Sequence, residues 1–314
     1  MYLRTLLAFA PACMLQVLFQ SYFVTAGRPT LGLLLSIGSG ISNAVLDYLF
    51  IVVFQLGVAG AALATGIGQC IPAVVGLIFF FTNKQGLHFT KFSFYKRELL
   101  QACYNGSSEM VSQLSMAVVT VLFNIVLMRI AGEHGVAAIT ILLYGQFLFN
   151  SFYLGFSIGV APIVGFQYGA RNKVLLRRVY RISFLFVIAS SIFLLGAAEV
   201  LSRPIITIFT HDAETFPLAL TGFRLFAFCF LFSGVNITSS GFFTALSNGR
   251  VSAILSFCRT FVFTAVCLIV LPHFLGINGA WIAVPAAEAL TLLISMYMHQ
   301  KYFVRPGKQN YFAE

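Results

Sequence analysis

Nine long apolar segments, separated by short polar breaks, make up most of this 314-residue chain. Each is long enough to supply the stretch of about 20 mostly apolar residues that an α-helix needs to cross a bilayer. The segments run approximately over residues 5–26, 31–53, 58–81, 100–130, 136–166, 180–209, 217–246, 251–274 and 277–299. Only 9% of the residues are charged, whereas charged residues make up about a quarter of a soluble domain. The sequence therefore predicts an all-α polytopic membrane protein with about nine transmembrane helices in a lipid bilayer.

The basic residues are concentrated in alternate breaks, as the positive-inside rule predicts for a multi-pass protein. These breaks and the C-terminal segment carry 14 of the 19 Lys and Arg residues, namely Arg28, Lys84, Lys91, Lys96, Arg97, Arg171, Lys173, Arg177, Arg178, Arg181, Arg250, Lys301, Arg305 and Lys308. The opposite breaks carry the acidic residues Glu133, Asp212 and Glu214. We therefore expect a multi-pass protein of a bacterial-type plasma membrane, with the basic breaks and the C-terminus in the cytoplasm.

Several other protein classes are not supported by the sequence. The net charge of +10 comes without a basic run interleaved with aromatic residues, so we expect no nucleic-acid partner. The six cysteines lie within apolar segments and lack the spacing of metal ligands, so no cofactor is expected apart from a coupling ion. We expect no enzyme activity, because the sequence contains no HExxH motif, no GxSxG motif and no pair of intramembrane aspartates at catalytic spacing.

The first three segments repeat in the last three at a constant offset of 219 residues. The identical pairs are Leu6/Leu225, Ala8/Ala227, Phe9/Phe228, Ser21/Ser240, Phe23/Phe242, Thr25/Thr244, Ala26/Ala245, Leu49/Leu268, Leu56/Leu275, Gly57/Gly276, Gly60/Gly279, Ala61/Ala280 and Ala64/Ala283. Six segments separate the two starts, so both copies cross the membrane in the same direction, as in the parallel repeats of transporters. The middle three segments have no partner. The simplest hypothesis is a six-plus-six architecture that has lost its first three helices.

The chain resembles the multidrug and toxic compound extrusion (MATE) transporters over essentially its whole length. The resemblance rests on the order and spacing of the motifs YLRTLLAFAP, AGRPT, SNAVLDYLFI, LGVAGAALAT, NGSSEMVSQLS, GVAAITI, PIVGFQYGARN and GINGAWIAVPAAE. It implies the fourth to twelfth helices of a two-lobe transporter. Residues 1–83 would form the second half of an N-terminal lobe, residues 84–98 a cytoplasmic linker, and residues 99–314 a complete six-helix C-terminal lobe.

Asn43 and Asp47 are candidates for a cation site in the N-terminal lobe. They are four residues apart and share one helix face, and an acid inside a bilayer is costly enough to suggest a function. In the family, such an Asn and Asp pair, a Thr on the next helix and an Asp on the first helix hold the coupling cation. The resemblance assigns the first three roles to Asn43, Asp47 and Thr65, with H⁺ or Na⁺ as the ion. Alternatively, Asp47 is a structural carboxylate near a helix end.

A polar face in the C-terminal lobe predicts a substrate cavity. Its members on the fourth and fifth segments are Glu109, Gln113, Thr120, Asn124, Gln146, Asn150 and Tyr153. Glu109 resembles the seventh-helix acid of the family and is a second candidate for coupling. Alternatively, it forms a structural pair with Arg259 or Arg224. The tenth-helix acid of some members has no match between residues 216 and 245.

Arg259 and Glu288 are charges of opposite sign within the last two segments. An ion pair between adjacent helices would lower the cost of burying both, and both are also candidates for the substrate cavity. Gln16 and Gln20 share a helix face, where they would line a cavity or join helices by hydrogen bonds. The five histidines lie in or beside the breaks, which gives no support to a histidine proton relay.

The resemblance implies a secondary active efflux transporter, a cation-coupled antiporter that uses H⁺ or Na⁺ to export amphipathic cationic drugs or toxins. We expect the chain to act as a monomer. One alternative is a flippase of related fold for lipid or polysaccharide precursors, which would need a strongly cationic cavity. Another is a non-functional fragment of a transporter.

Overall fold

The computed structural model describes residues 2–84, 86–90, 93–304 and 311–312, without the side chains of Tyr2, Asn105, Ser108, Glu109 and Ser112. Every regular element in these ranges is a helix. The α-helices are α1 Tyr2–Ala8, α2 Ala10–Thr25, α3 Pro29–Asp47, α4 Gly57–Thr82, α5 Lys96–Gly169, α6 Lys173–Phe209, α7 Thr215–Ala227, α8 Cys229–Ala245, α9 Gly249–Phe257, α10 Phe263–Leu275 and α11 Ile277–His299. Three π-helical segments continue α3, α9 and α11, over Tyr48–Val53, Cys258–Val262 and Gln300–Val304.

These helices correspond to the nine predicted spans once their breaks are considered. Phe9 separates α1 from α2, Phe228 separates α7 from α8 at a bend of 48°, and Gly132 breaks α5 with φ 59° and ψ −148°. A π-helical turn joins α9 to α10. By length and composition alone, six helices in the described ranges are suited to crossing a membrane, or seven if the bent pair is one span. That count treats both halves of α5 as one helix and leaves out the short α1 and α2.

Residues Met1–Phe94 form one compact unit, which contains α1 to α4. The rings of Phe9 and Phe19 lie directly against Gly66 and Gly76 of α4, where even a methyl group would clash. At Gly68 an added Cβ would lie only 3.2 Å from the Cβ of Asn43. Small residues thus allow α3 and α4 to approach closely, which brings the polar face of α3 against α4.

Residues Tyr95–Glu314 form the second compact unit, which contains α5 to α11. Its largest apolar cluster includes the fully buried Trp281. Gly222 of α7 provides room for this indole, since an added Cβ would lie 3.0 Å from two of its ring atoms. A separate cluster at the end of α11 contains Phe242, Phe243 and Phe303.

The sequence repeat is also visible in the boundaries of the helices. Adding 219 to the bounds of α2 gives residues 229 to 244, and α8 spans Cys229–Ala245. The helix breaks at Phe9 and Phe228 are 219 residues apart as well. Gly57, the first residue of α4, and Gly276, which immediately precedes α11, both have a positive φ, of 54° and 56°. The first three and the last three spans of the chain therefore share the same pattern of helix boundaries.

Candidate functional site

Asn43 of α3 and Thr65 of α4 meet where the two helices approach. The side-chain amide of Asn43 donates to the Thr65 hydroxyl over 3.4 Å, and this hydroxyl donates to the Ala61 carbonyl over 2.9 Å. Nearby, Ser39 donates to the carbonyl of Gly68 over 2.7 Å. The two residues that the sequence predicted as cation ligands on different helices are therefore neighbours.

Asp47 lies one turn beyond Asn43, at the end of α3, and its side chain is half-buried. Its Oδ1 atom is buried and has no hydrogen-bond partner among the described residues. A buried carboxylate oxygen without a donor is costly, and a proton or a cation lowers that cost. The chain changes from α-helix to π-helix at Tyr48, immediately after this residue, and such turns are frequent at functional sites. Carboxylate, amide and hydroxyl oxygens are ligands that suit a hard cation.

The two glutamines of α2 have different surroundings. Gln20 donates to the Ser36 hydroxyl over 2.8 Å, and Ser36 donates to the Gly32 carbonyl over 2.9 Å. Gln20 thus joins α2 to α3, as one of the two interpretations of this pair predicted. Gln16 instead has a buried Oε1 with no hydrogen-bond partner within the described part of the chain.

The predicted polar face of the second unit lies along both halves of α5. Gln113, Thr120 and Asn124 are exposed on the first half, and Gln146 and Asn150 are half-buried on the second. Asn150 Oδ1 accepts a hydrogen bond of 3.2 Å from Ser233 of α8. The side chain of Glu109, the candidate coupling acid on this face, lies outside the described residues.

Tyr153, the last member of this face, is fully buried. Its hydroxyl donates to the Phe230 carbonyl over 2.9 Å and lies 3.2 Å from the Ser191 hydroxyl. Val187 and Ile237 belong to the same apolar cluster. In this conformation Tyr153 therefore joins α5, α6 and α8 inside the unit.

The predicted ion pair between Arg259 and Glu288 is present. Glu288 is only 3% exposed, and its Oε1 accepts from Arg259 Nη1 over 3.2 Å. Its Oε2 accepts from Asn236 Nδ2 of α8 over 2.7 Å, and the same amide lies 2.9 Å from the Glu288 carbonyl. Ser295 completes the cluster by donating to Asn236 Oδ1 over 2.9 Å. The sequence analysis missed Asn236 and Ser295. Their only signal was an amide within an apolar segment and a serine two helical turns beyond Glu288 on the same face.

His299, the last residue of α11, was also missed by the sequence analysis. It is 9% exposed, and its Nε2 lies 2.7 Å from the Ser239 hydroxyl and its Nδ1 3.1 Å from the Tyr180 hydroxyl. The rings of Phe184, Phe243 and Phe303 surround it at centroid distances of 4.8 to 5.5 Å. Nothing in the sequence indicated this burial, because His299 lies next to a break and is covered by α6, α8 and the π-helical end of its own helix only in the folded chain.

A polar cluster also occurs in two of the breaks, outside the apolar segments. Asp212 Oδ2 accepts from the backbone N–H and the hydroxyl of Thr215, over 2.8 and 2.6 Å. These two hydrogen bonds lower the pKa of Asp212 from its ordinary value. His134 lies 3.2 Å from Asp212 through Nδ1 and 3.1 Å from Glu214 through Nε2. The cluster therefore links the break at Gly132 to the start of α7.

Comparison with known families and curated proteins gives consistent matches. The family model described as MatE matches residues 110–270. The multidrug export protein MepA of Staphylococcus saprophyticus is 22% identical over 311 residues, and MepA of Staphylococcus aureus is 23% identical over 305 residues. Each match covers 94% of this chain. The chain spans 65% of the length of these relatives.

Solved structures match nearly the whole chain. A MATE protein crystallised in the straight conformation superposes with a TM-score of 0.89 at 22% identity. The MATE transporter VcmN of Vibrio cholerae in its bent form gives a TM-score of 0.82 at 22% identity. Both matches cover 96% of this chain and 68% of the other. At this identity the likeness establishes the fold.

Proposed function

The chain belongs to the MatE family of multi-pass membrane transporters, and from this premise we propose that it exports small amphipathic cations in exchange for protons or sodium ions. The observation that carries the proposal is the buried Oδ1 of Asp47, which has no hydrogen-bond partner among the described residues and lies one helical turn beyond Asn43, the residue that contacts Thr65. This arrangement leaves a carboxylate oxygen for an exchangeable cation. The MepA relatives are named as multidrug export proteins, which supports the substrate class.

The first unit supplies the coupling site in this proposal. A proton or Na⁺ on Asp47 neutralises a charge at the end of α3, whereas release of the ion restores an anion with one buried oxygen. The two states favour different packing of α3 against α4, so ion binding shifts the balance between two conformations. Asn43 and Thr65 orient the site from the two helices. Glu109 of α5 is a second candidate for coupling.

The second unit supplies the substrate face. Gln113, Gln146 and Asn150 offer hydrogen-bonding groups on α5, and the many aromatic side chains of the chain offer apolar surface. An amphipathic cation requires both kinds of contact. In the same proposal the protein acts as a monomer, with its basic breaks and C-terminus in the cytoplasm.

The flippase alternative receives no comparable support. An anionic headgroup would need free positive charge inside the bundle. Arg259 is paired with Glu288, and Arg224, the other candidate, is exposed on α7. The charges at these two positions therefore do not favour an anionic substrate.

The proposal is tested with the full chain in two settings. In an efflux-deficient bacterium the wild-type chain is expected to lower ethidium accumulation, and Asp47→Asn to restore it to the level of the empty vector. Asp212→Asn is the matched control, because it removes a carboxylate outside the apolar segments. In proteoliposomes, ethidium movement driven separately by a pH gradient and by a Na⁺ gradient identifies the ion. The proposal is wrong if the wild-type chain moves no ethidium under either gradient.

A further inference from the structure

Glu288 is the one acid among the described residues that is less than a tenth exposed. An unpaired charge in this position would be costly in a bilayer. Two groups donate the three hydrogen bonds to its carboxylate and carbonyl oxygens, the amide of Asn236 in α8 and the guanidinium of Arg259 in the π-helical turn. The carboxylate therefore has a positive partner that is covalently part of the chain.

The two copies of the repeat carry their polar groups at different positions. Adding 219 to the candidate ligands Asn43, Asp47 and Thr65 gives Val262, Val266 and Val284. Subtracting 219 from Asn236, Arg259 and Glu288 gives Val17, Gly40 and Gln69. The first copy thus has an acid and no matching arginine, and the second copy has an acid with its own cation.

The contact between Arg259 and Glu288 uses one donor of the guanidinium. Only Nη1 reaches the carboxylate, at 3.2 Å, and Nε is buried with no partner in the described ranges. This geometry differs from the bidentate Arg–carboxylate contact, at which Lys is a poor substitute for Arg. The charge of Arg259 is therefore the property that the site uses, and a Lys ammonium is able to supply it.

The other ligands of Glu288 do not depend on Arg259. Asn236 holds Oε2 at 2.7 Å and is itself oriented by Ser295. Cys229 and Tyr153 also lie within electrostatic range of Glu288, and neither side chain can carry a positive charge. A carboxylate with oriented neighbours would remain if the guanidinium were removed.

We propose that Glu288 and Asn236 form a monovalent-cation site whose permanent occupant is the guanidinium of Arg259. The tethered charge cannot leave, so the second copy of the repeat holds its cation throughout and exchanges none. Without that charge the site takes up a proton or Na⁺ from solution. The consequence for transport rests on the proposed function: ion exchange is then confined to carboxylates other than Glu288.

The test uses the full chain in lipid nanodiscs, with every variant in an Asp47→Asn background. This background removes the candidate site of the first unit, so the result does not depend on whether Asp47 couples transport. Arg259→Met is expected to gain a Na⁺-dependent rise in thermal midpoint and uptake of about one proton per chain on acidification. Both gains are expected to disappear in Arg259→Met/Glu288→Gln. Arg259→Lys is expected to show neither gain, as in the parent. Arg224→Met is the control for loss of an exposed arginine.

Two results would overturn the proposal. One is an Arg259→Met protein that responds to neither Na⁺ nor pH. The other is an Arg259→Lys protein as unstable as Arg259→Met, which would indicate a structural clamp. If Arg259→Met does not fold, the proposal is tested by comparing Glu288→Gln with the Asp47→Asn parent. The proposal requires Glu288→Gln and the parent to show the same response of thermal midpoint to Na⁺, because the occupied site takes up no ion from solution. A Na⁺ response of the parent that Glu288→Gln removes would contradict it.

Discussion

Gly57 and Gly276, 219 residues apart, lie at the start of the last helix of each repeat copy with nearly the same left-handed φ, +54° and +56°. Both follow a Leu and precede the closely packed Gly60 and Gly279. The turn between the second and third spans therefore has a left-handed glycine at the same place in both copies. A side chain at either position would have to adopt a conformation that L-residues rarely occupy.

Gly276→Ala is expected to destabilise the chain by about 1 to 3 kcal/mol, because φ 56° and ψ −137° lie in a region that is essentially restricted to glycine. Gly57→Ala is expected to change stability in the same direction. Thermal unfolding in detergent measures both. Gly155→Ala is the control, since this helical glycine has an ordinary φ and no atom within 4 Å of an added Cβ. A Gly276→Ala protein as stable as Gly155→Ala would contradict the assignment of strain.

Thr65→Val is expected to weaken cation binding without abolishing it. The substitution keeps the shape of the side chain but removes the hydroxyl that Asn43 contacts at 3.4 Å. Loss of one hydrogen bond is worth about 0.5 to 1.5 kcal/mol, a factor of roughly two to ten in affinity. The measurement is the ion concentration that gives half-maximal ethidium transport in proteoliposomes. Thr82→Val is the control, because Thr82 is exposed at the end of α4; an equal effect of both changes would remove Thr65 from the site.

Asn236→Leu is expected to destabilise the second unit more than Ser295→Ala does. The first change leaves Oε2 of the buried Glu288 without its 2.7 Å donor, and an unsatisfied buried group costs about 1 to 3 kcal/mol, more if charged. The second removes only a 2.9 Å hydrogen bond to Asn236 Oδ1. The two changes are expected to be non-additive, because both act on one network. A double-mutant cycle by thermal unfolding checks this, and strict additivity would show that the residues act independently.

The sequence was sufficient to predict the spans, the repeat and the Arg259–Glu288 pair, because each rests on a strong local signal. Spans follow from the cost of exposing polar backbone to lipid. Two opposite charges inside a bilayer pair because each is costly alone. Asn236, Ser295 and His299 have no such signal. Their partners lie on helices far away in sequence, so their roles depend on how α8 and α11 cross. The break at Gly132 within α5 was anticipated only as a polar gap between two spans.

His299→Phe is expected to destabilise the second unit although it replaces a polar ring by an apolar one of similar shape. The imidazole contacts the Ser239 hydroxyl at 2.7 Å and the Tyr180 hydroxyl at 3.1 Å. Ser239 keeps its hydrogen bond to the Val235 carbonyl, so the expected cost is mainly the lost hydrogen bond of the half-buried Tyr180 hydroxyl, about 0.5 to 1.5 kcal/mol. His273→Phe is the control, because His273 is exposed. Equal thermal midpoints for both variants would show that the hydroxyl contacts of His299 contribute nothing.

Asp212→Asn is expected to reduce the loss of thermal stability that the chain shows as the pH falls. Hydrogen bonds from Thr215 lower the pKa of Asp212 below its ordinary value of 3.8, so the folded chain binds this proton less readily than the unfolded chain. The stabilisation by Asp212 is therefore present above about pH 4 and is lost as the pH falls through the lowered pKa. Thermal midpoints measured between about pH 3 and 7, the range that brackets an ordinary carboxyl pKa, are expected to fall more steeply in the wild type than in Asp212→Asn. Glu133→Gln changes an exposed acid in the neighbouring break and is expected to keep the wild-type slope of thermal midpoint against pH. A smaller slope in Glu133→Gln would show that the acid sensitivity comes from the general charge of these breaks.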